Sequence, residues 1–159
     1  MTQDYYSEIT SQLHQIREHK QDIVEEHRKM ALELVDQHLQ EVVDNLSILS
    51  LHILSALEEK PLTGMELSKI LNSTRGGITR AAKKLLEYQL ITTSQPTNDR
   101  KKIYYQLTEQ GSTLAMAHDQ MHQKLESDFR KQILNDLSLA DQRVIANFLD
   151  NFINFKPKN

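Results

Sequence analysis

Cysteine is absent from all 159 residues, and with it go disulfides, thiolate metal sites and thiol redox switches. Helix breakers are scarce too, with four glycines and three prolines, so little interrupts a helix once it starts. No run of about 18 apolar residues occurs, and no transmembrane helix is expected. The opening stretch MTQDYYSEIT is polar and lacks the apolar segment of a signal peptide, which makes cytoplasmic residence the expectation. No serine–histidine–acid arrangement or glycine-rich phosphate loop stands out, so no enzyme activity is expected. What remains has 38% apolar and 26% charged residues, the composition of a helix-rich globular protein rather than a disordered one.

Charge is unevenly spread. The chain carries −3 overall, yet residues 61–107 hold eight Lys/Arg against three acids, a net of +5, leaving −8 for the rest. A basic middle inside an acidic frame has the footprint of a phosphate-binding surface. Ordinary variation of a solvated surface is the bland alternative.

Residues 5–44 carry apolar side chains at helical spacing (Ile9, Leu13, Ile16, Ile23, Met30, Leu34, Leu39, Val42) with no Gly or Pro between them. A single helix of that length would span roughly 60 Å. That exceeds any core this chain can build, so the stripe asks for a partner chain. Residues 47–59 form a shorter apolar helix. After Pro61, Thr63-Gly64-Met65-Glu66 has the form of a capping box, starting a helix to about Leu71. Asn72-Ser73-Thr74 gives a turn and a second N-cap. The next helix, to about Tyr88, places Ile78, Ala81, Ala82, Leu85 and Leu86 on its inner face. Two short helices about a tight polar turn make a helix-turn-helix.

The period then changes. Leu90-Ile91-Thr92-Thr93 and Lys102-Ile103-Tyr104-Tyr105-Gln106-Leu107 read as strands on either side of turn chemistry at Gln95–Asp99. A hairpin directly behind a helix-turn-helix is a wing, spanning about Thr92–Leu107. Thr108-Glu109-Gln110-Gly111 opens a long helix to about Leu134. Ser138 starts a last one, with Val144, Ile145, Phe148, Leu149, Phe152 and Ile153 as its apolar positions. The expected fold is mainly α (α+β), a winged helix-turn-helix lobe (47–107) between an N-terminal dimerisation helix (1–46) and C-terminal dimerisation helices (108–159).

In such a lobe the second helix enters the DNA major groove with its N-terminal residues at the base edges. Those residues are Thr74, Arg75, Gly76, Gly77, Thr79 and Arg80. Arg75 and Arg80 can donate paired hydrogen bonds to guanine, and Thr74 and Thr79 can meet a phosphate or a thymine methyl. Lys83 and Lys84, further along, suit phosphates. Glycines at 76 and 77 cost helix propensity, about 1 kcal/mol each, but let the backbone come close to DNA. The wing tip offers Arg100, Lys101 and Lys102 to a narrow minor groove. Mere solvation of an exposed basic helix is the competing reading, and the capped helix pair followed by a basic hairpin weighs against it.

The stretch Asp99-Arg100-Lys101-Lys102, followed by Leu107-Thr108-Glu109-Gln110-Gly111, resembles the wing-to-helix signature of MarR-type regulators, D-x-R followed by L-T-x-x-G. Residues 73–91 resemble their recognition helix, with Ile78-Thr79-Arg80 in place of V-T-R. The resemblance extends over about residues 45–150. One departure is Lys101, a point charge without a planar fork, where the family has arginine. The resemblance implies a homodimer whose terminal helices interlock, reading double-stranded DNA at a pseudo-palindromic site as a repressor.

Among seven histidines, His118 and His122 are four apart on one helix face, a spacing that can chelate zinc. An exposed pair also arises by chance, and a histidine alone among apolar neighbours, as His52 is, is more often a hydrogen-bonded core residue than a ligand. A closer resemblance, to the zinc-responsive AdcR/ZitR branch of the family, implies a site. His52 stands in an H-I-L segment, the distance to His118 and His122 matches without a gap, and the carboxylate falls at Glu33 when one residue is inserted between it and His52, with Asp36 and His38 as alternatives. Three imidazoles and a carboxylate would form a tetrahedral zinc site. The branch's second, cysteine-containing site is not expected, because Leu51 and Ala117 precede His52 and His118. Three other readings remain open: a MarR-type repressor released by a small aromatic or acyl effector, a metallohydrolase using His118, His122 and Glu33 or Asp119, and a coiled-coil adaptor. The second lacks the H-E-x-x-H base, and the third leaves the basic wing unexplained.

Overall fold

The structure is a computed structural model that describes residues 5–19, 29, 37–95 and 102–156, without the side chains of Arg17 and His38. Helix α1 (Tyr6–Glu18) ends at the C-cap His19, and α2 covers Gln37–Val43. The expected helix over 5–44 therefore appears at its two ends, and most of the stretch between lies outside the described residues. Part of its stripe serves this chain's own core. Leu39, Val42 and Val43 of α2, with Leu46 after it, are buried among the residues of the lobe.

Helix α3 (Ile48–Ala56) starts at Ser47, whose side chain accepts from the Ser50 N–H. Six of its nine residues are apolar, and both α3 and α4 pack against α5. Helix α4 (Gly64–Ile70) begins at the complete capping box of Thr63 and Glu66. Asn72, at φ 46°, takes the left-handed turn conformation that asparagine tolerates. Helix α5 (Arg75–Glu87) is then capped by the Thr74 side chain accepting from Gly77 N–H. Ile78, Ala81, Ala82 and Leu85 form its buried face. Leu86, expected inside, is exposed, because the buried face is complete without it.

Strands β2 (Ile91–Ser94) and β3 (Tyr104–Leu107) form the wing hairpin, with Ile91 opposite Leu107 and Ser94 opposite Tyr104. Lys102 and Ile103 precede β3 rather than belonging to it. A two-residue strand β1 (Leu62–Thr63) pairs with the other edge of β3, giving an antiparallel sheet in the order β1-β3-β2. Helix α6 (Glu109–Phe129) continues into a π-helical turn at Arg130–Leu134. Helix α7 (Leu139–Asn154) starts at a second capping box, Ser138 with Asp141.

The chain divides into two compact units, residues 1–121 and 122–159, with the boundary inside α6. The first holds the apolar core, to which α6 contributes Leu114, Ala115 and Ala117. In the second, Val144, Ile145, Phe148, Leu149, Phe152 and Ile153 of α7 are each at least 41% exposed. Phe148 and Phe152 stack with ring centroids 6.3 Å apart. Among the described residues, no helix is long and apolar enough to cross a membrane.

Candidate metal centre and nucleic-acid interface

His52 sits on the second turn of α3, and His118 lies one turn before His122 on α6. These helices bring the three imidazoles together, with one ligand atom from each within 4.8 Å of the others. His122 stands one turn beyond His118 on an uninterrupted helix, so the spacing of that pair is a property of α6 itself. The His52 and His118 rings meet edge-on, 5.4 Å between centroids. His118 is buried at 3% exposure, His52 is half-buried and His122 exposed. Nitrogens around a tetrahedral zinc with bonds near 2.05 Å lie about 3.3 Å apart. A bound of 4.8 Å leaves only small side-chain adjustments to reach that spacing, and imidazole is a preferred zinc donor. The residues present therefore fit such an ion. Glu33 and Asp36 lie outside the described residues, as does the side chain of His38.

A polar relay backs His118. Its Nδ1 is 3.1 Å from Ser55 Oγ, and Ser55 Oγ donates to Asp119 Oδ1 at 2.6 Å. Asp119 Oδ1 is 3.6 Å from the same ring nitrogen. Partial burial works to raise the Asp119 carboxyl, but hydrogen bonds from Ser55 and Glu58 and the neighbouring His118 together hold it below its ordinary value. Glu58 shifts the other way, raised by partial burial and then by its hydrogen bond to, and the charge of, Asp119. Asp119 is thus the member of the pair that favours the carboxylate form. Sequence reasoning placed Asp119 only as an alternative hydrolase group and missed Ser55 and Glu58. Their separation of some sixty residues from Asp119 leaves no local signal.

The second surface lies on α5. Arg75, Gly76, Thr79, Arg80 and Lys83 are exposed at offsets that share one helix face, opposite the buried stripe. Among the described residues, Arg75, Arg80 and Lys83 have no ion-pair partner. Thr74 Oγ1 is occupied by its cap bond to Gly77 N–H, and Thr79 Oγ1 donates to the Arg75 carbonyl at 2.9 Å. Lys84 is drawn along the helix, 3.8 Å from Glu87 Oε2 and 5.1 Å above the Tyr88 ring. Gly76 faces open space, whereas a Cβ at Gly77 would crowd Ser73 and Thr74. Lys102 is exposed, and Arg100 and Lys101 lie outside the described residues.

The wing is anchored to α6. Thr108 N–H donates to the Leu90 carbonyl at 3.0 Å, and the Thr108 hydroxyl reaches Gln89 O at 2.8 Å and Leu90 O at 3.1 Å. The same hydroxyl accepts from Gly111 N–H at 3.1 Å. The L-T-x-x-G motif is thus an N-cap that also fastens the helix to the end of α5.

Comparison with known proteins places these features. The MarR family model matches residues 46–103. The transcriptional regulator ZitR of Lactococcus lactis subsp. cremoris is 32% identical over 98 residues, 62% of this chain and 67% of the relative. The structure of Lactococcus lactis ZitR in complex with DNA superposes with a TM-score of 0.62 at 31% identity, covering 68% of this chain and 73% of that one. The adhesin competence repressor AdcR of Streptococcus pyogenes gives a TM-score of 0.63 at 26% identity, over 69% and 81%.

Proposed function

Because the chain belongs to the MarR family of transcriptional regulators and is not an enzyme, we propose that it is a homodimeric, cytoplasmic repressor with zinc as its co-repressor. The observation that carries the zinc reading is the meeting of His52, His118 and His122 within 4.8 Å. Glu33 is the proposed fourth ligand. Bound zinc would supply a fixed cross-link between α3 and α6, favouring one arrangement of the reading heads over others. The genes under such control would be those of metal uptake.

In this reading residues 1–46 and 108–159 furnish the dimer scaffold around the DNA-binding lobe, 47–107. The exposed apolar face of α7 supports a scaffold, since burying each such side chain stabilises by about 1.5–3 kcal/mol. Thr74, Arg75, Gly76, Gly77, Thr79 and Arg80 would face base edges. Lys83 and Lys84 would meet phosphates, and Arg100, Lys101 and Lys102 the minor groove. The unpaired cations on the outer face of α5 support that assignment.

Two measurements test it together. Calorimetric zinc titration should show binding that His118→Ala abolishes, and a gel shift on DNA upstream of the protein's own gene should strengthen with zinc. Absence of zinc binding at micromolar metal overturns the zinc reading. DNA release by an aromatic or acyl compound, with no zinc effect, would transfer the effector role to an organic ligand.

A further inference from the structure

We propose that Ser55 is a positioning residue for the metal centre, its hydroxyl and the Asp119 carboxylate holding His118 as the Nδ1–H tautomer. The inference deepens the zinc reading and rests on it for its consequence, though not for its geometry.

The direction of the relay follows from counting protons. A serine hydroxyl has one proton and two lone pairs. Ser55 Oγ has three neighbours: Asp119 Oδ1 at 2.6 Å, His118 Nδ1 at 3.1 Å and the Leu51 carbonyl at 3.5 Å. The shortest contact is to an acceptor-only carboxylate, and a charge-assisted O–H···O⁻ bond has this length. The proton therefore goes to Asp119. Ser55 can then only accept from His118, which must carry its hydrogen on Nδ1. A neutral imidazole has one N–H, so its lone pair lies on Nε2. That nitrogen becomes the donor for a cation gathered with His52 and His122. The relay also fixes the plane of a ring that is 3% exposed, so little reorientation is left for metal binding to impose. Ligating histidines commonly have such a partner behind the ring, and losing it lowers metal affinity by about 10–100-fold.

The arrangement uses two elements already needed elsewhere. Ser55 lies one turn after Leu51 on α3, the helix that carries His52, and Asp119 follows His118 on α6. The ligand and its support thus come from the same pair of helices, so the relay sets their spacing without a third element.

The test uses the full chain with 15N-labelled histidine. In the metal-free protein, long-range 1H–15N correlation should show His118 as the Nδ1–H tautomer, and Ser55→Ala should convert it to Nε2–H or a mixture. Titration of zinc alone, against a competing chelator, should show about a 10–100-fold loss of affinity for Ser55→Ala and near-native affinity for Ser55→Thr, which restores the hydroxyl. Should Ser55→Ala fold poorly, Asp119→Asn provides the second variant. It keeps an acceptor but removes the charge, and should give mixed tautomers with a smaller loss. An Nε2–H tautomer in the parent protein overturns the relay. Unchanged zinc affinity in both Ser55→Ala and Asp119→Asn overturns the positioning role. If the parent binds no zinc, the metal reading fails and the role of Ser55 fails with it, while the tautomer still reports separately on the relay.

Discussion

At Gly111 a Cβ would fall well inside contact distance of the Leu90 carbonyl, so the first turn of α6 approaches the end of α5 only because that residue has no side chain. Gly111→Ala should lower stability by about 1–3 kcal/mol, read as a drop in thermal midpoint. Gly76 is the opposite case, with nothing within 4 Å of the place a methyl would take. Gly76→Ala should raise stability by up to about 1 kcal/mol while weakening operator binding, since in the proposed reading the added methyl would face DNA and not protein. In the same reading the exposed cations divide similarly by role. Arg75→Ala should cost about 1–3 kcal/mol on the cognate site and relax its sequence preference. Lys83→Ala should weaken binding evenly across sequences and reduce the salt slope by about 0.9, measured by fluorescence anisotropy at several salt concentrations. The three histidines were legible from spacing and resemblance, because helix period fixes the pair on α6. The Ser55–Asp119 support was not, since nothing local in either residue announces a partner 64 positions away.

Capping residues made the helices legible at the scale of elements. Thr63, Thr74 and Ser138 each act within four residues, so the sequence contains both halves of the interaction. Strand β1 escaped for the converse reason. Leu62 and Thr63 become a strand only through Tyr105 and Tyr104, more than forty residues away. Thr63→Ala should destabilise by about 1 kcal/mol. Its partner Glu66 adds a pH dependence. Hydrogen bonds from the Thr63 N–H and then its hydroxyl hold the Glu66 carboxyl below the ordinary value of 4.5. A folded value below the unfolded one means the contribution is complete above about 4.5 and is lost as pH falls through the lower folded value. Thermal midpoints of the parent and Glu66→Gln, compared from pH 7 downward, should therefore converge below that point.

Over the whole molecule, the apolar face of α7 was read correctly as a periodic stripe, but periodicity does not say which chain covers it. The stripe over 5–44 shows why: its last turns, Leu39, Val42 and Val43, are used within the lobe, while Ile9 and Ile16 near its start are exposed. Replacing Phe148 and Phe152 with aspartate together should shift the proposed dimer to monomer in analytical ultracentrifugation, with loss of operator binding and little change in the helicity of the lobe. An unchanged sedimentation coefficient would place the interface elsewhere. Helix α6 has a further consequence, for how the gene can change length. Gly111, His118 and His122 occupy one uninterrupted helix, and each is set by its angular phase as well as its place along the axis. One residue inserted between Gly111 and His118 would turn both histidines by about 100° and advance them about 1.5 Å. The turns at 57–61 and 135–138 impose no such phase. Length variants should survive at those turns and disappear from the first half of α6.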